Sequence, residues 1–241
     1  MSRINVLFSP VGVDELYFSS KTAAVIDVLR ASSTIVTAVM NGAKEIIPVG
    51  SIEFAVKVSG GMFGGQTLLC GEKNTKKVDG FNLGNSPAEF TSEVIGGKTV
   101  VLYTTNGTKA IVKAKFSSNL FITAFLNVKA SAKKLIETGG DIEIICSGRN
   151  NEFSLEDTVC AGKLVSQILK LKNTFQLTDS AAAALSLFEM KKKDISGVMR
   201  NTEHGQILIE NGFEADIEYC AQVDITNVVP TFKNNSIKEV H

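Results

Sequence analysis

Short, apolar, β-branched runs that stop abruptly in a polar turn and then open a helix recur in this sequence, and that recurrence most restricts its fold. Lys98 to Tyr103 is such a run; it ends at Thr104, Thr105, Asn106, Gly107 and Thr108, after which Lys109 to Lys115 reads as a helix. Thr22 to Leu29 is a second. It passes into Arg30, Ser32 and Ser33 and then a helix over Thr34 to Asn41, stopped by Gly42. Asp141 to Cys146 is a third, ending in Ser147, Gly148, Arg149 and Asn150 before a long apolar helix to Leu169 headed by Glu156 and Asp157. A parallel sheet buries runs of this kind on both faces. In an open α/β sheet, ligands bind outside the carboxyl ends of such strands.

The remaining strands are expected at Ile4 to Phe8, Glu45 to Val49, Thr67 to Cys70, Asn119 to Phe125 and Asn227 to Phe232. Helices are expected at Ile52 to Val58, from Pro87 to Ile95, at Lys129 to Thr138, at Thr178 to Met190, and from His204 to Gly212. Ser59 to Gly65 is glycine-rich and reads as a connector or a lid. The closing KNNSIKEVH reads as a tail. At 241 residues the chain is long enough for one large α/β domain or two small ones. A single domain over residues 1–241 is expected, any subdivision falling near 170–200.

Charge excludes whole classes of partner. The 25 basic and 25 acidic residues cancel, so no global field draws nucleic acid or a membrane surface, and any anion must be held locally. Only Arg3, Arg30, Arg149 and Arg200 are arginines, against 21 lysines, which points to arginine where a bidentate fork is needed. Cys70, Cys146, Cys160 and Cys220 have no CxxC spacing, and no apolar run has the length of a membrane span. A cytoplasmic protein with reduced thiols is expected. The oligomeric state is left open.

Strands ending at Asp27, Glu72, Thr104 to Thr108, and Ser147 to Arg149 bring carboxylates, two arginines and neutral donors to one crevice. Carboxylates without His or Cys ligands suit Mg²⁺, while arginines and helix N-termini suit phosphate. Asn106 is also a plain helix N-cap candidate, and Glu156 and Asp157 could simply complement a helix dipole. The mixture reads as phosphoryl chemistry, yet GxxxxGK[ST] and GxGxxG are absent. The cysteine-phosphatase loop is missing, and Leu29 stands where a haloacid-dehalogenase-like site needs a second Asp.

IDVLRASST at Ile26 to Thr34, GFNLGNSP at Gly80 to Pro87, TTNGT at Thr104 to Thr108, CSGRNN followed by EDTVCAG, and the Asp216 to Pro230 segment occur in this order. Together they make the chain resemble the 2-phosphosulfolactate phosphatase family, the ComB-like proteins. That resemblance implies an α/β fold of three layers, α/β/α, with a largely parallel or mixed sheet. It also implies Mg²⁺-dependent release of phosphate from 2-phospho-3-sulfolactate to give 3-sulfolactate, a step that in some organisms lies on a route to coenzyme M. Where the family pattern has arginine after the glutamate at position 72, this chain has Lys73.

On this reading Asp27, Glu72, Glu156 and Asp157 are the pool of metal ligands, and Arg30 and Arg149 clamp anionic oxygens. Ser32, Ser33, Asn82, Asn85, Ser86, Thr104, Thr105, Asn106, Gly107, Thr108 and Gly148 contact substrate, and His204 is the candidate acid for the leaving alkoxide. Direct attack by water and a covalent intermediate on Asp27 or Cys146 are both open, although a cysteine ending a buried strand is ordinarily a small hydrophobe. Two alternatives share the same anion-binding features. One is a non-catalytic receptor for a small sulfonate or phosphate; the other is a phosphatase for a different phosphorylated hydroxy acid.

Overall fold

The computed structural model describes residues 2–61 and 66–239. Its strands are β1 (Arg3–Leu7), β2 (Thr22–Ile26), β3 (Glu45–Val49), β4 (Thr67–Lys73), β5 (Lys76–Lys77), β6 (Thr99–Tyr103), β7 (Asn119–Thr123), β8 (Ile142–Cys146), β9 (Gln176–Leu177), β10 (Pro230–Lys233) and β11 (Ser236–Glu239). Helices α1 (Ala31–Met40), α2 (Ile52–Gly60), α3 (Ser92–Ile95), α4 (Gly107–Lys113), α5 (Val128–Thr138), α6 (Leu155–Leu171), α7 (Asp179–Lys191), α8 (Ile195–Arg200), α9 (Glu203–Glu210) and α10 (Glu214–Cys220) cover it. Among the described residues no helix is long and apolar enough to cross a membrane.

The three layers follow from the strand period of two. Ala24 and Ile26 of β2 join Ile4, Val6, Ile142 and Ile144 in one core, against residues of α5, α6 and α7 such as Leu135, Leu164 and Ala184. Ala23 and Val25, pointing the other way, join Val100, Leu102, Leu120 and Ile122 in a second core with Ile35 of α1 and Ile111 of α4. Both faces of the central strands are therefore dry. A smaller cluster around Val49, Ala55, Val101 and Tyr103 seats α2 on β3 and β6.

The sheet order is β5-β4-β6-β3-β11-β10-β7-β2-β8-β1-β9. One parallel block holds β4, β6 and β3, another holds β7, β2, β8, β1 and β9, and the hairpin β10–β11 joins them by antiparallel pairing to β7 and to β3. Three antiparallel steps reverse the sense of one block relative to the other. Strand twist of about 20–25° per step accumulates over the five steps from β2 to β6 to on the order of 100°. Helix α4 packs on strands of both blocks, β3 and β2.

Several expectations are corrected. The closing segment is not a tail: Ser236 to Glu239 is β11, with Ile237 paired to Ile46 and fully buried. The single helix expected from Pro87 to Ile95 is a 3-10 turn at Pro87–Glu89 and then α3, because extended Thr91 breaks it and serves as the N-cap of α3. The strand expected at Thr67 to Cys70 runs on to Lys73 and folds back through β5. Of the glycine-rich Ser59 to Gly65, α2 takes in Ser59 and Gly60, and residues 62–65 lie outside the described residues.

Candidate active site

Asp27 is the first residue beyond β2. Its backbone N–H donates to Ser32 Oγ (2.8 Å) and its carbonyl accepts from Ser32 N–H (2.8 Å), which closes the turn into α1. Ser33 Oγ donates to the Val28 carbonyl (2.8 Å) in the same turn. The Leu29–Arg30 peptide bond within it is cis. Burial pushes the Asp27 carboxyl up to about 6, although the charge of His204 and hydrogen bonds from Ser147 and Ala31 pull the other way. The charge of Glu72 adds to the rise.

Asp157, in the first turn of α6, ties the loop after β2 to the loop after β8. Its Oδ1 accepts from Val28 N–H (2.9 Å), and its Oδ2 accepts from Ser147 Oγ (3.2 Å) and Gly148 N–H (3.3 Å). Burial and the charges of Asp27 and Glu156 push its carboxyl well above the ordinary range. Gly148 sits at φ 68°, where a Cβ would stand 2.3 Å from the Glu152 carbonyl, so this turn requires glycine.

Glu72 is the penultimate residue of the long strand β4. Its carboxylate accepts from Thr75 N–H (2.8 Å) and from Thr105 N–H (2.7 Å), which ties the loops after β4 and β6 together. Thr104 and Thr108 bond each other reciprocally, N–H to Oγ1, at 3.0 Å each way. The amides of Thr104, Thr105 and Thr108 are therefore already engaged within the protein. Gly107 lets α4 approach: a Cβ there would lie 2.5 Å from Asp27 Oδ2 and 2.5 Å from Ala31 Cβ.

The two arginines differ in freedom. Buried Arg30 donates to Asp216 Oδ2 (2.7 Å) and to the Thr75 carbonyl (2.7 Å), with its guanidinium 4.1 Å from the centroid of the Phe213 ring. Ser86 Oγ donates to the other Asp216 oxygen (2.6 Å). Arg149 projects from a two-residue hairpin in which Asn150 and Asn151 have φ 52° and 69°, and only its Nη1 has a hydrogen-bond partner among the described residues, Glu203 at 3.2 Å. His204 Nδ1 lies 3.5 Å from Glu156 Oε1. Burial raises the Glu156 carboxyl, but the hydrogen bond and charge of His204 outweigh it and hold it below the usual range.

These loops enclose a cavity of about 190 Å³ lined by Asp27, Leu29, Arg30, Glu72, Asn74, Thr75, Asn85, Thr104, Thr105, Asn106, Arg149, Asn150, His204 and Ile207. Of the expected site residues, Asp27, Arg30, Glu72, Asn85, Thr104, Thr105, Asn106, Arg149 and His204 meet there. Ser32, Ser33, Asn82, Ser86, Gly107, Thr108, Gly148, Glu156 and Asp157 do not line it. They hold up the wall, as when Asn82 Oδ1 accepts from Leu69 N–H (2.8 Å) on the outer side of β4. Cys146 lies in the core with its thiol pushed well above the ordinary range by burial and then by Asp157, far from the thiolate a nucleophile needs. Asn74, Thr75, Asn150, Leu29 and Ile207 were not anticipated as lining. The signal for the first three was present, since polar residues in a two-residue turn commonly take the left-handed conformation.

Three buried oxygens in the wall have no hydrogen-bond partner among the described residues: Thr75 Oγ1, Asn85 Oδ1 and Thr105 Oγ1. Buried polar atoms are ordinarily satisfied, so three orphans on one small cavity mark a place for a polar ligand. A chamber of this size, of mixed charge and beyond the strand ends, puts the protein among the α/β proteins that handle small polar molecules. The family described as 2-phosphosulpholactate phosphatase matches residues 9–235. The chain belongs to that family, whose description is that of a phosphoric monoester hydrolase. It is similar to a "Probable 2-phosphosulfolactate phosphatase" of Clostridium acetobutylicum, 36% identical over 235 residues that cover 98% of this chain and 99% of the relative. A protein of the same description from Thermotoga maritima is 45% identical over 215 residues, covering 89% and 90%. One from Clostridium novyi is 40% identical over 230 residues, covering 95% and 97%.

Proposed function

We propose that this protein hydrolyses 2-phospho-3-sulfolactate to 3-sulfolactate and phosphate with the help of Mg²⁺. The observation that carries the reading is the company of the orphaned oxygens of Thr75, Asn85 and Thr105: they line one cavity with Asp27, Glu72, Arg149 and His204. A site with donors, acceptors, acids and a guanidinium at such close quarters suits a small molecule carrying several anionic groups. The family membership and the names of the relatives support the choice of substrate.

The donor set fits a hard cation. Among the described residues no three His, Cys, Asp or Glu side chains form a ready-made cage. Asp27 and Glu72 nevertheless face the cavity, sense each other's charge, and have no Lys or Arg ion-pair partner among the described residues. Two carboxylates leaving room for water and phosphate oxygens are what Mg²⁺ commonly takes, and Asp27 and Glu72 would hold it. Asp157, whose oxygens already serve three donors, positions the loops instead. When bound, the cation would polarise the phosphoryl group and lower the pKa of a bound water.

The chain's own residues supply the rest. Arg149 offers free guanidinium N–H groups to an anionic oxygen, and the hydroxyls of Thr75 and Thr105 donate to other oxygens of the substrate. Leu29 and Ile207 give the carbon frame an apolar wall. His204, oriented by Glu156, delivers a proton to the alkoxide as it leaves. The four buried, unpaired cysteines support a reducing, cytoplasmic setting. Phosphate release from 2-phospho-3-sulfolactate, measured with Mg²⁺ and again with a chelator, tests the reading. Binding without turnover in the presence of Mg²⁺ would make the protein a receptor and sink it.

A further inference from the structure

The two cavity-lining arginines are held in different ways. Both terminal nitrogens of Arg30 are engaged by buried partners, and the guanidinium lies over an aromatic ring, so its charge is fixed in place. The Arg149 guanidinium has a single hydrogen-bond partner among the described residues. That partner, Glu203, is almost wholly exposed: side-chain exposure is 93% for Glu203 and 26% for Arg149. Glu203 does not line the cavity. It lines a neighbouring cleft of about 340 Å³ that shares Arg149, Asn150 and His204 with it. Among the described residues, the one loosely held arginine of the cavity is therefore tethered from outside by a carboxylate in water.

We propose that Glu203 is a specificity-determining residue which competes with the substrate for Arg149: an anionic oxygen entering the cavity displaces the Glu203 carboxylate from the guanidinium. The inference rests on the phosphatase reading, since it takes the entering group to be a phosphate or sulfonate oxygen. An exposed ion pair is weak because water screens it and two long side chains must be ordered to form it. A buried anion that brings two or three oxygens to the same fork outcompetes it. The tether still lowers apparent affinity, because the ligand must first break the pair. It disfavours singly charged ligands most, since these gain least from the exchange, and so it sharpens selection for multiply charged substrates.

Glu152 provides a built-in control. It lines the same outer cleft, but it meets Arg149 through backbone hydrogen bonds and not through its carboxylate. A general effect of negative charge on anion binding would act through both glutamates; competition for the fork acts through Glu203 alone. The experiment compares Glu203→Gln and Glu152→Gln with the wild type. It measures the dissociation constant of inorganic phosphate by calorimetry in the presence of Mg²⁺, and the KM and kcat for 2-phospho-3-sulfolactate. The expected result is a fall of about two- to fivefold in both the phosphate dissociation constant and KM for Glu203→Gln, the size of a released surface pair. The change falls on KM and not on kcat, and Glu152→Gln shows no comparable fall.

Equal effects in the two variants would reduce the observation to bulk electrostatics and overturn the proposal. Weaker binding or a lower kcat in Glu203→Gln would make Glu203 a positioning residue that holds Arg149 ready, which also overturns it. Unaltered constants in Glu203→Gln, with an active wild type, refute the competition while leaving the phosphatase reading standing. A wild type that neither binds phosphate nor turns over removes that reading and the competition together.

Discussion

Asp27 is a cavity-lining carboxyl whose ionisation is opposed by burial. Its carboxyl is raised from 3.8 to about 6 first by burial, so without a cation the folded state holds this proton more tightly than the unfolded state does. The associated stability is full below about pH 4 and is lost as pH rises through about 6. In chelated protein, Asp27→Asn removes that dependence, so the Tm of the variant relative to the wild type rises between pH 4 and 6.5. Thermal unfolding across that range checks it, and a constant difference would show that Asp27 is not the titrating group. With Mg²⁺ present the same variant loses at least about 100-fold in kcat while its circular dichroism is unchanged. Arg149→Lys keeps the charge but not the fork, and raises KM about tenfold or more. A KM within twofold of the wild type would remove Arg149 from substrate binding.

At the scale of elements, the cavity depends on how closely α4 approaches the turn after β2. Gly107→Ala sets two effects against each other. The helix gains about 1 kcal/mol in propensity, but the new methyl meets Asp27 Oδ2 and Ala31 Cβ at 2.5 Å each in a region with no slack. Overpacking of this kind costs about 1–3 kcal/mol. The clash wins, and Tm falls by several degrees together with kcat, because the displaced atom is an oxygen of the carboxylate proposed to hold Mg²⁺. A stabilised, fully active Gly107→Ala would show that the approach can relax.

The strand-to-turn-to-helix units were legible because apolar β-branched runs ending in Asp27, Thr104 and Ser147 leave few other readings. The hairpins were missed, although the paired polar residues that close them carried a signal. Asn74–Thr75, Asn150–Asn151 and Asn234–Asn235 each place two consecutive residues at positive φ, and each closes a two-residue turn. Which hydroxyls face a ligand was hidden. Ser32, Ser33 and Thr108 have the chemistry to bind substrate, but a short side chain can satisfy nearby backbone instead, and here it does. The Arg30–Asp216 pair spans 186 positions, beyond the reach of local pattern.

At the scale of the whole molecule, the decisive element is the C-terminal hairpin. Asp27 belongs to one parallel block and Glu72 with Thr105 to the other, and β10–β11 holds the blocks in one sheet. Loss of that bridge would separate the acids before it dissolved either block. Ile237 is the key side chain: fully buried, paired with Ile46, and packed in the core that spans both blocks. Its neighbour Lys238 points the other way and makes a surface ion pair to Glu45 at 3.1 Å. Ile237→Ala is expected to cost about 2–5 kcal/mol, as large-to-small changes in a packed core do, whereas Lys238→Ala stays within about 0.5 kcal/mol. Denaturant unfolding measures both. Near-equal values would mean that the last strand merely lies against the sheet, and the two halves of the cavity would then depend on contacts between their loops such as the Arg30–Thr75 hydrogen bond.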